Sequence, residues 1–317
     1  MPEARFGVVL VNWNGANDTL ASLDSLLSAR PRPGHVVVVD NGSADDSVAR
    51  LQEWAGSNAP SWIAAEPRTA AAVDGSAWLT LVTASRNLGF SGGNNVGLRI
   101  LAERTDATHF LLLNNDAMVA DDYFVHIARA VDELPSAGLL GALIYRHPER
   151  NDVWFAGAVE TPWRALIRHR TTVPDAQTPF ATPFVTGCAM VISRPLYDAN
   201  GGLAEVYNPI YWEDADYSCQ ARMRGWPVVI VPRAHVYHRV GASGAGEVFT
   251  PSTAFSQNRN RAIFVRRNYR GMDRVLALGY LTATKPARAL LEMVRGRGPV
   301  GAAIFRGFWQ GMTQHLA

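Results

Sequence analysis

Three acids stand close together in the segment Trp212-Glu213-Asp214-Ala215-Asp216, which opens a helix-like stretch over residues 211–224. Carboxylates this close repel one another unless a cation or a proton relieves them. A carboxylate at the edge of a pocket can act as the general base that activates a hydroxyl group. We therefore take Asp214 as the candidate base, with Glu213 beside it in an acceptor-binding role. The alternative is structural, because acids also suit the first turn of a helix.

A second candidate group ends the apolar run Leu111-Leu112-Leu113-Asn114-Asn115-Asp116. The run predicts a buried strand that delivers two amides and a carboxylate to the edge of a sheet. Oxygen ligands of this kind suit Mg²⁺ or Mn²⁺ bridging two phosphates. A turn in which Asp116 caps a helix explains the hexapeptide about equally well.

Three earlier apolar runs also end in small polar residues. A carboxylate at Asp40 can accept the imide N–H of a uracil or thymine ring, although an Asx turn would use the same residue. Because four consecutive runs end this way, the pattern favours a ligand crevice over four unrelated turns. The residues are Asn12 and Asn14 after the first run, Asp40 and Asn41 after the second, and Asn87 after the third.

Two further motifs complete the set of candidate binding residues. The segment 87–95 predicts a glycine-rich loop at the start of a helix, where the backbone N–H groups of Gly92, Gly93 and Asn94 can face a phosphate. His238 closes a short strand ahead of the glycine-rich residues 241–244. A neutral imidazole there can complete the coordination of a metal ion, although an isolated histidine is more often structural.

Apolar runs alternate with helical patterns through the first half of the chain, which predicts an α/β fold with a mostly parallel sheet and helices on both faces. Ligands of such sheets bind beyond the carboxyl ends of the strands, where the polar residues stand. The first half contains predicted strands at 6–11, 36–40, 79–84 and 110–113, and predicted helices at 19–29, 46–54 and 94–102. Residues 55–76 are predicted as a surface loop. The second half contains a predicted helix at 121–134, predicted strands at 139–145, 154–159, 184–193, 228–231 and 235–238, and helices from residue 254 onward.

The charge of the chain is unevenly distributed. From Arg259 onward there are ten arginines and one lysine against two acids, a net charge of +9, within a whole chain of net charge +2. A basic tail of this kind fits an anionic phospholipid surface or a nucleic acid, or it is a solvated helix face. No nucleic-acid motif accompanies it, so we expect peripheral membrane contact and no nucleic-acid partner.

Two cysteines and a polar, short N-terminal segment lead us to expect a cytoplasmic protein, at the inner face of the plasma membrane. A disulfide framework needs more cysteines than two, although one bridge is compatible with the count. No stretch approaches the roughly 20 apolar residues of a membrane span.

Taken in order, these segments resemble the family 2 inverting glycosyltransferases, most closely the rhamnosyltransferase-like branch, over about residues 5–270. The resemblance implies a GT-A fold, inversion at the anomeric carbon and a divalent metal held by Asp116. It also assigns the catalytic aspartate to Asp214, a metal or diphosphate contact to His238 and a donor contact to Arg259. One departure stands at Asn114, where the family often has an aspartate, so a negative charge near the metal is missing.

The predicted function is transfer of a sugar from a dTDP- or UDP-linked donor to a lipid-diphosphate or oligosaccharide acceptor. We predict a nucleotide-sugar half at residues 1–117, a catalytic half at 118–250, a basic helical extension at 251–317, and a homodimer as one use of that extension. A sugar nucleotidyltransferase is disfavoured because residues 12–15 carry no Lys or Arg. A non-catalytic sugar-nucleotide-binding scaffold is disfavoured by the presence of both Asp116 and Asp214.

Overall fold

The computed structural model describes residues 4–67, 75–149, 151–174, 177–239 and 250–316. Helices and strands alternate through the first half as predicted, with one addition: an edge strand lies inside the segment expected to be a loop. The helix before that strand also runs to Asn58. The elements are β1 (Phe6–Asn12), α1 (Ala16–Ser28), β2 (His35–Asp40), α2 (Ser47–Asn58), β3 (Trp62–Ala65), β4 (Leu79–Thr83), α3 (Gly89–Arg104) and β5 (His109–Asn114).

Five strands of this half form a parallel sheet in the order β3-β4-β2-β1-β5. Strand β1 lies at the switch point, with β2 on one side and β5 on the other. The register pairs Asn12 with Asp40, and Asp40 with Thr83. The carboxyl ends of β1, β2, β4 and β5 therefore meet at one edge, which confirms the predicted alignment of the polar strand ends.

The second half extends the same sheet with antiparallel and parallel neighbours, so the whole sheet is mixed. Strand β12 runs antiparallel between β5 and β7, and β13 pairs parallel with β7. The elements are β6 (Ala117–Val119), α4 (Tyr123–Glu133), β7 (Leu139–Arg146), β8 (Val153–Phe155), β9 (Ala158–Thr161), β10 (Leu166–His169), β11 (Phe180–Ala181), β12 (Ala189–Ser193), α5 (Arg194–Asn200), α6 (Glu213–Met223) and β13 (Val228–His238).

Three strand predictions in this half need correction. The strand expected at 184–193 forms only from Ala189, so residues 184–188 are free to line a cavity. The strand expected at 154–159 is two strands, β8 and β9, divided at Gly157, whose φ of +89° favours glycine. The two strands expected at 228–231 and 235–238 are one strand, β13, with an irregular register between Val231 and His235.

Three helices end the described chain: α7 (Pro251–Asn268), α8 (Gly271–Val294) and α9 (Gly298–Thr313). Helix α7 buries Ile263 and Phe264 completely within the main core. Helix α7 therefore belongs to the same hydrophobic core as the sheet, although the sequence predicts that an extension begins at residue 251. Helix α9 approaches α7 closely, because a Cβ on Gly311 would overlap Ala262 at 2.9 Å. Among the described residues, no helix is both long and apolar enough to cross a membrane.

Candidate active site

Asn12, Asn14 and Asp40 join the loops that follow β1 and β2. The Asn12 amide donates to Asp40 Oδ2 at 2.8 Å, and the Ser43 hydroxyl donates to the same oxygen at 2.6 Å. Asn14 has a φ of +51°, and its Oδ1 accepts from the backbone N–H of Ala44 at 2.8 Å. Asp40 is fully buried, so contact with a nucleobase requires Ser43 to move aside. The predicted donor-binding roles of these three residues remain predictions.

Asn41 and Asn87 join the loops that follow β2 and β4. Asn41 accepts from the backbone N–H of Leu88 at 2.9 Å and donates to Asn87 Oδ1 at 3.1 Å. Asn87 Oδ1 also accepts from the N–H of Gly89 at 2.8 Å. The backbone N–H groups of Leu88 and Gly89 therefore already have acceptors within the protein. Fewer N–H groups of residues 87–95 can face a phosphate than the sequence predicts.

The predicted glycine-rich loop is wrong in its extent, because α3 already begins at Gly89. Gly92, Gly93 and Asn94 lie in the first turns of that helix and are buried. A Cβ on Gly93 would stand 2.9 Å from Val11 of β1, so this glycine allows helix and strand to approach closely. The Asn94 amide donates to the carbonyl of Phe90 at 2.9 Å within its own helix.

Asp116 and His238 meet across the β6–β13 pairing, as the metal prediction requires. His238 Nε2 lies 3.0 Å from Asp116 Oδ1, and both residues are buried. Burial disfavours the imidazolium, but Cys188 and Asp116 favour it, and the pKa of His238 rises to about 10. Because burial also raises the pKa of the Cys188 thiol, Asp116 is the partner that holds this charge at neutral pH.

The two side chains fit a divalent cation as a partial set of ligands. Ligands at about 2.1 Å and at right angles stand about 3.0 Å apart, the separation found here. Carboxylate and neutral imidazole are suitable donors for Mn²⁺, so a bound cation would take the place of the proton that His238 carries in its absence. Asn115, in contrast, is engaged with the Thr19 hydroxyl at 3.1 Å. Within the described ranges no cluster of three or more His, Cys, Asp or Glu offers a metal site.

The backbone before α6 is held in an uncommon conformation. Tyr211 and Trp212 have φ values of +82° and +79°, in the left-handed region that side chains disfavour. Asn260 of α7 stabilises this turn, because its buried amide donates to the carbonyls of Tyr207, Ile210 and Tyr211 at 2.7, 3.0 and 2.9 Å. These two left-handed residues set the direction in which α6 begins, which an unstrained backbone would not give it.

Asp214 is held as an accepting carboxylate. Its Oδ2 accepts from the backbone N–H of Gly187 at 2.9 Å, and its Oδ1 accepts from the N–H of Ala215 at 2.8 Å. Burial raises the pKa of Asp214, while these N–H groups and the Thr186 hydroxyl oppose the shift by stabilising the anion. A raised pKa makes the Asp214 carboxylate a stronger base than that of an exposed aspartate.

Its neighbours Glu213 and Asp216 relieve the charge of the three-acid segment in different ways. Glu213 is 4% exposed, and burial together with the Asp214 charge raises its pKa well above the usual range. Its Oε2 has no hydrogen-bond partner in the described part of the chain. Asp216 faces away from the site, accepting from the Tyr207 hydroxyl at 2.8 Å and lying 3.1 Å from Arg267. The raised pKa favours protonation of Glu213, and Arg267 supplies a cation beside Asp216.

A cavity of about 360 Å³ opens beside Asp214. Of the predicted site residues, Asn114, Glu213 and Asp214 line it. Sequence reasoning missed most of the wall, which comes from the loop before β12, the β8–β10 region and the turn before α6. These additional lining residues are Phe90, Trp154, Ile167, His169, Phe184, Thr186, Gly187, Cys188, Ile210, Tyr211, Trp212, Ala215 and Gln257.

Aromatic rings connect this cavity to the Asp116–His238 pair. The Trp154 ring lies 4.8 Å from the His238 ring and 4.8 Å from the His169 ring. Desolvation by these rings and their neighbours lowers the pKa of His169 to about 4, so its imidazole is neutral at physiological pH. The wall therefore presents flat, uncharged surfaces, which suit contact with the apolar face of a sugar ring.

Arg259 does not reach this cavity. Its guanidinium donates to the carbonyls of Val206 and Asn208 and to Asn260, so it supports the turn before α6.

A larger open depression of about 660 Å³ lies around Tyr145, Arg233 and His235, and its lining includes none of the predicted site residues.

The fold is that of the GT-A glycosyltransferases. The chain superposes on GalNAc-T7 with UDP, GalNAc and Mn²⁺ with a TM-score of 0.64 at 12% identity, covering 99% of this chain and 56% of that one. It superposes on the mannosyltransferase PcManGT from Pyrobaculum calidifontis in complex with GDP-Man and Mn²⁺ with a TM-score of 0.56 at 17% identity, covering 99% and 88%. For S. aureus TarS 1-349 the TM-score is 0.58 at 14% identity, covering 98% and 81%.

The chain belongs to the family described as Glycosyltransferase like family 2, whose model matches residues 2–265. An uncharacterized protein of Mycobacterium tuberculosis (strain ATCC 25618 / H37Rv) is 31% identical over 166 residues, which are 49% of this chain and 56% of that protein. One of Sinorhizobium fredii (strain NBRC 101917 / NGR234) is 24% identical over 278 residues, 84% of this chain and 28% of that protein. The match with the mycobacterial relative thus spans little more than half of its length.

Proposed function

We propose that this protein is an inverting glycosyltransferase that moves a sugar from a nucleoside diphosphate to an acceptor hydroxyl, with Asp214 as the base. One observation carries the proposal: Asp214, held by two N–H groups, faces the same cavity as Asn114 at the end of β5. The proposed base and the carboxyl end of β5, where the donor is proposed to bind, therefore line the same cavity.

The chemistry follows from the surroundings of Asp214. Its carboxylate accepts the proton of the acceptor hydroxyl as that oxygen bonds to the anomeric carbon. The bond from that carbon to the diphosphate oxygen breaks, and its electron pair leaves with the diphosphate. Attack from the face opposite the leaving group inverts the configuration. Neutral Glu213 can donate a hydrogen bond from its buried carboxyl to the acceptor.

Asp116 and His238 are the residues that would hold a divalent cation, Mn²⁺ or Mg²⁺. When bound, such an ion supplies charge stabilisation for the departing diphosphate. The observation that supports this assignment is the 3.0 Å separation of the two buried side chains. Asn114 beside them contributes no charge, so we expect much of the metal affinity to depend on the donor diphosphate.

For the donor we propose dTDP-rhamnose first and a UDP-linked hexose or N-acetylhexosamine second. A pyrimidine base is suggested by Asp40 at the crevice edge, and one structural neighbour was solved with UDP. Another was solved with GDP-Man, so a guanine nucleotide is the competing donor to be tested. The aromatic wall around Trp154 supports a sugar hydroxyl of a lipid-linked or polysaccharide chain as the acceptor.

A thermal-shift panel of dTDP-, UDP- and GDP-sugars, each with and without Mn²⁺ or Mg²⁺, tests this proposal. A ligand that binds only the folded state raises its stability, so we expect one sugar nucleotide to raise the Tm in the presence of metal. That nucleotide should then be hydrolysed slowly or transferred. Stabilisation by a sugar nucleotide without hydrolysis or transfer would leave the scaffold alternative, and neither stabilisation nor turnover across the panel would contradict the proposal.

The matched variants are Asp116→Asn and Asp122→Asn. Both change an aspartate beside a histidine, at 3.0 Å from His238 and 3.1 Å from His126 respectively, but Asp122 lies outside the candidate site. We expect Asp116→Asn to weaken metal-dependent donor binding by at least ~10-fold, because even outer-shell partners of metal sites contribute that much. Asp122→Asn should bind the donor as the wild type does. Equal donor binding by all three proteins would remove Asp116 from the metal site.

A further inference from the structure

The outward face of α8 is apolar along its entire length. Exposed residues recur at the spacing of one helix face, and among them are Met272 (68% exposed), Val275 (64%), Leu290 (63%) and Val294 (77%). No charged residue stands among the outward positions 272, 275, 276, 279, 283, 286, 290, 293 and 294. Soluble proteins rarely expose a continuous apolar face, and one that does marks a contact with a partner or a membrane.

Helix α9 adds aromatic side chains to this surface. Phe305 is 47% exposed and Trp309 is 62% exposed, one turn apart on the same face. Tryptophan is favoured at the level of lipid headgroups, because its ring is amphipathic. We call the outward residues of α8 together with Phe305 and Trp309 the α8–α9 face.

Helices α8 and α9 are also basic overall. Helices α8 and α9 and their connection carry six basic residues against Asp273 and Glu292, a formal net charge of +4, although burial lowers the pKa of Lys285 to about 7. Glu292 is buried and is contacted by both Arg288 and Arg297, so Asp273 is the one acid left without such a pair of cations. An apolar face on helices of net positive charge complements the anionic surface of a bilayer. Two copies pairing through the same face would oppose like charges.

The β9–β10 hairpin connects this face to the active-site cavity. At its tip, Trp163 lies 5.5 Å from the Tyr280 ring of α8, and Arg164 donates to the Tyr280 hydroxyl at 3.1 Å. Farther along the same hairpin, Ile167 and His169 line the cavity beside Asp214. One short structural unit therefore forms a wall of the cavity and also packs on α8.

We propose that the α8–α9 face docks on an anionic phospholipid bilayer and so presents the cavity to acceptors held in that bilayer. The docking rests on exposure and charge alone, whereas its use in presenting an acceptor rests on the proposed function. Adsorption needs no membrane-spanning segment: the apolar side chains enter the headgroup region and the arginines contact lipid phosphates.

Vesicle co-sedimentation of the full chain tests the proposal, with phosphatidylcholine vesicles that contain or lack phosphatidylglycerol. The test variant is Leu290→Gln with Val294→Gln. The matched control is Val125→Gln with Met223→Gln, which changes exposed apolar residues of α4 and α6, 47% and 53% exposed. We expect the wild type and the control to bind anionic vesicles, more weakly at high salt, and the test variant to bind at least ~10-fold more weakly.

Two results would overturn the proposal: no vesicle binding by the wild type, or equal binding by the test variant. A wild-type dimer that the test variant dissociates, without vesicle binding, would assign the face to a second copy instead. Asp214→Asn should bind vesicles normally, and the test variant should still hydrolyse a soluble donor. Failure of docking and failure of the catalytic proposal are therefore distinguishable.

Discussion

Substitution of Asn260 tests whether the strained turn before α6 positions Asp214, the proposed catalytic base. Its side chain is fully buried, and its amide serves three carbonyls between residues 207 and 211. Replacement by alanine leaves these acceptors without their donor. A buried acceptor left unsatisfied costs about 1–3 kcal/mol, and water can reach part of this turn. At the low end for each carbonyl, Asn260→Ala should lower the free energy of unfolding by about 3 kcal/mol.

The same change should reduce turnover. The left-handed conformations of Tyr211 and Trp212 cost of order 1–3 kcal/mol each, so without the anchor they relax. Asp214 lies two residues farther along and moves with them. A displacement of about 1 Å at a reacting group can cost ~100-fold in rate. We therefore expect a turnover loss of that order, with unchanged donor affinity because β1 and β2 are not involved.

Asn258→Ala is the matched control. Asn258 is also buried on α7, but its amide donates only to Ala254 within the same helix, at 2.6 Å. Urea unfolding and steady-state transfer by both variants supply the comparison. We expect Asn258→Ala to lose stability without a matching loss of turnover. Wild-type turnover by Asn260→Ala, or equal turnover losses in the two variants, would refute the anchoring role.

Two further predictions concern stability. The pKa of Glu213 is raised in the folded state. Above about pH 4.3 the unfolded chain therefore releases a proton that the folded protein still holds. The free energy of unfolding falls as the pH rises from this unfolded-state pKa to the raised folded-state pKa. Glu213→Gln should therefore unfold at higher urea than wild type at about pH 8 and at similar urea near about pH 4, and a pH-independent difference would contradict this. Gly93→Ala should destabilise by about 1–3 kcal/mol through contact with Val11. Gly56→Ala, where a Cβ meets nothing within 4 Å, should stabilise by about 0.5–1 kcal/mol, and similar effects of the two changes on the thermal midpoint would refute the packing argument.

The donor half of the site could be predicted from local patterns. Apolar runs of period and length typical of parallel strands locate Asn12, Asp40 and Asn114, and parallel strands necessarily bring their carboxyl ends to one edge. The contact between Asp116 and His238 could not be predicted from local patterns, because it depends on the antiparallel pairing of β6 with β13. The family resemblance supplied that link, whereas spacing alone did not.

The acceptor side could not be predicted in this way. Gly187 contacts Asp214 because residues 184–188 leave the sheet before β12, although their composition is typical of a strand. Asn260 stabilises a turn about 50 residues earlier in the chain, and no local pattern reveals such a contact. The packing of Gly93 against Val11 was unpredictable for a related reason, because it depends on tertiary structure.

The most direct test of the catalytic account is donor turnover by Asp214→Asn, measured beside donor affinity in the same preparation. The variant keeps the shape of the side chain and one of the two oxygens that accept from the N–H groups of Gly187 and Ala215, but it cannot take a proton. General-base catalysis contributes ~10²–10⁴-fold, so we expect a turnover loss in that range with unchanged affinity for the sugar nucleotide. Wild-type turnover by Asp214→Asn would contradict the account.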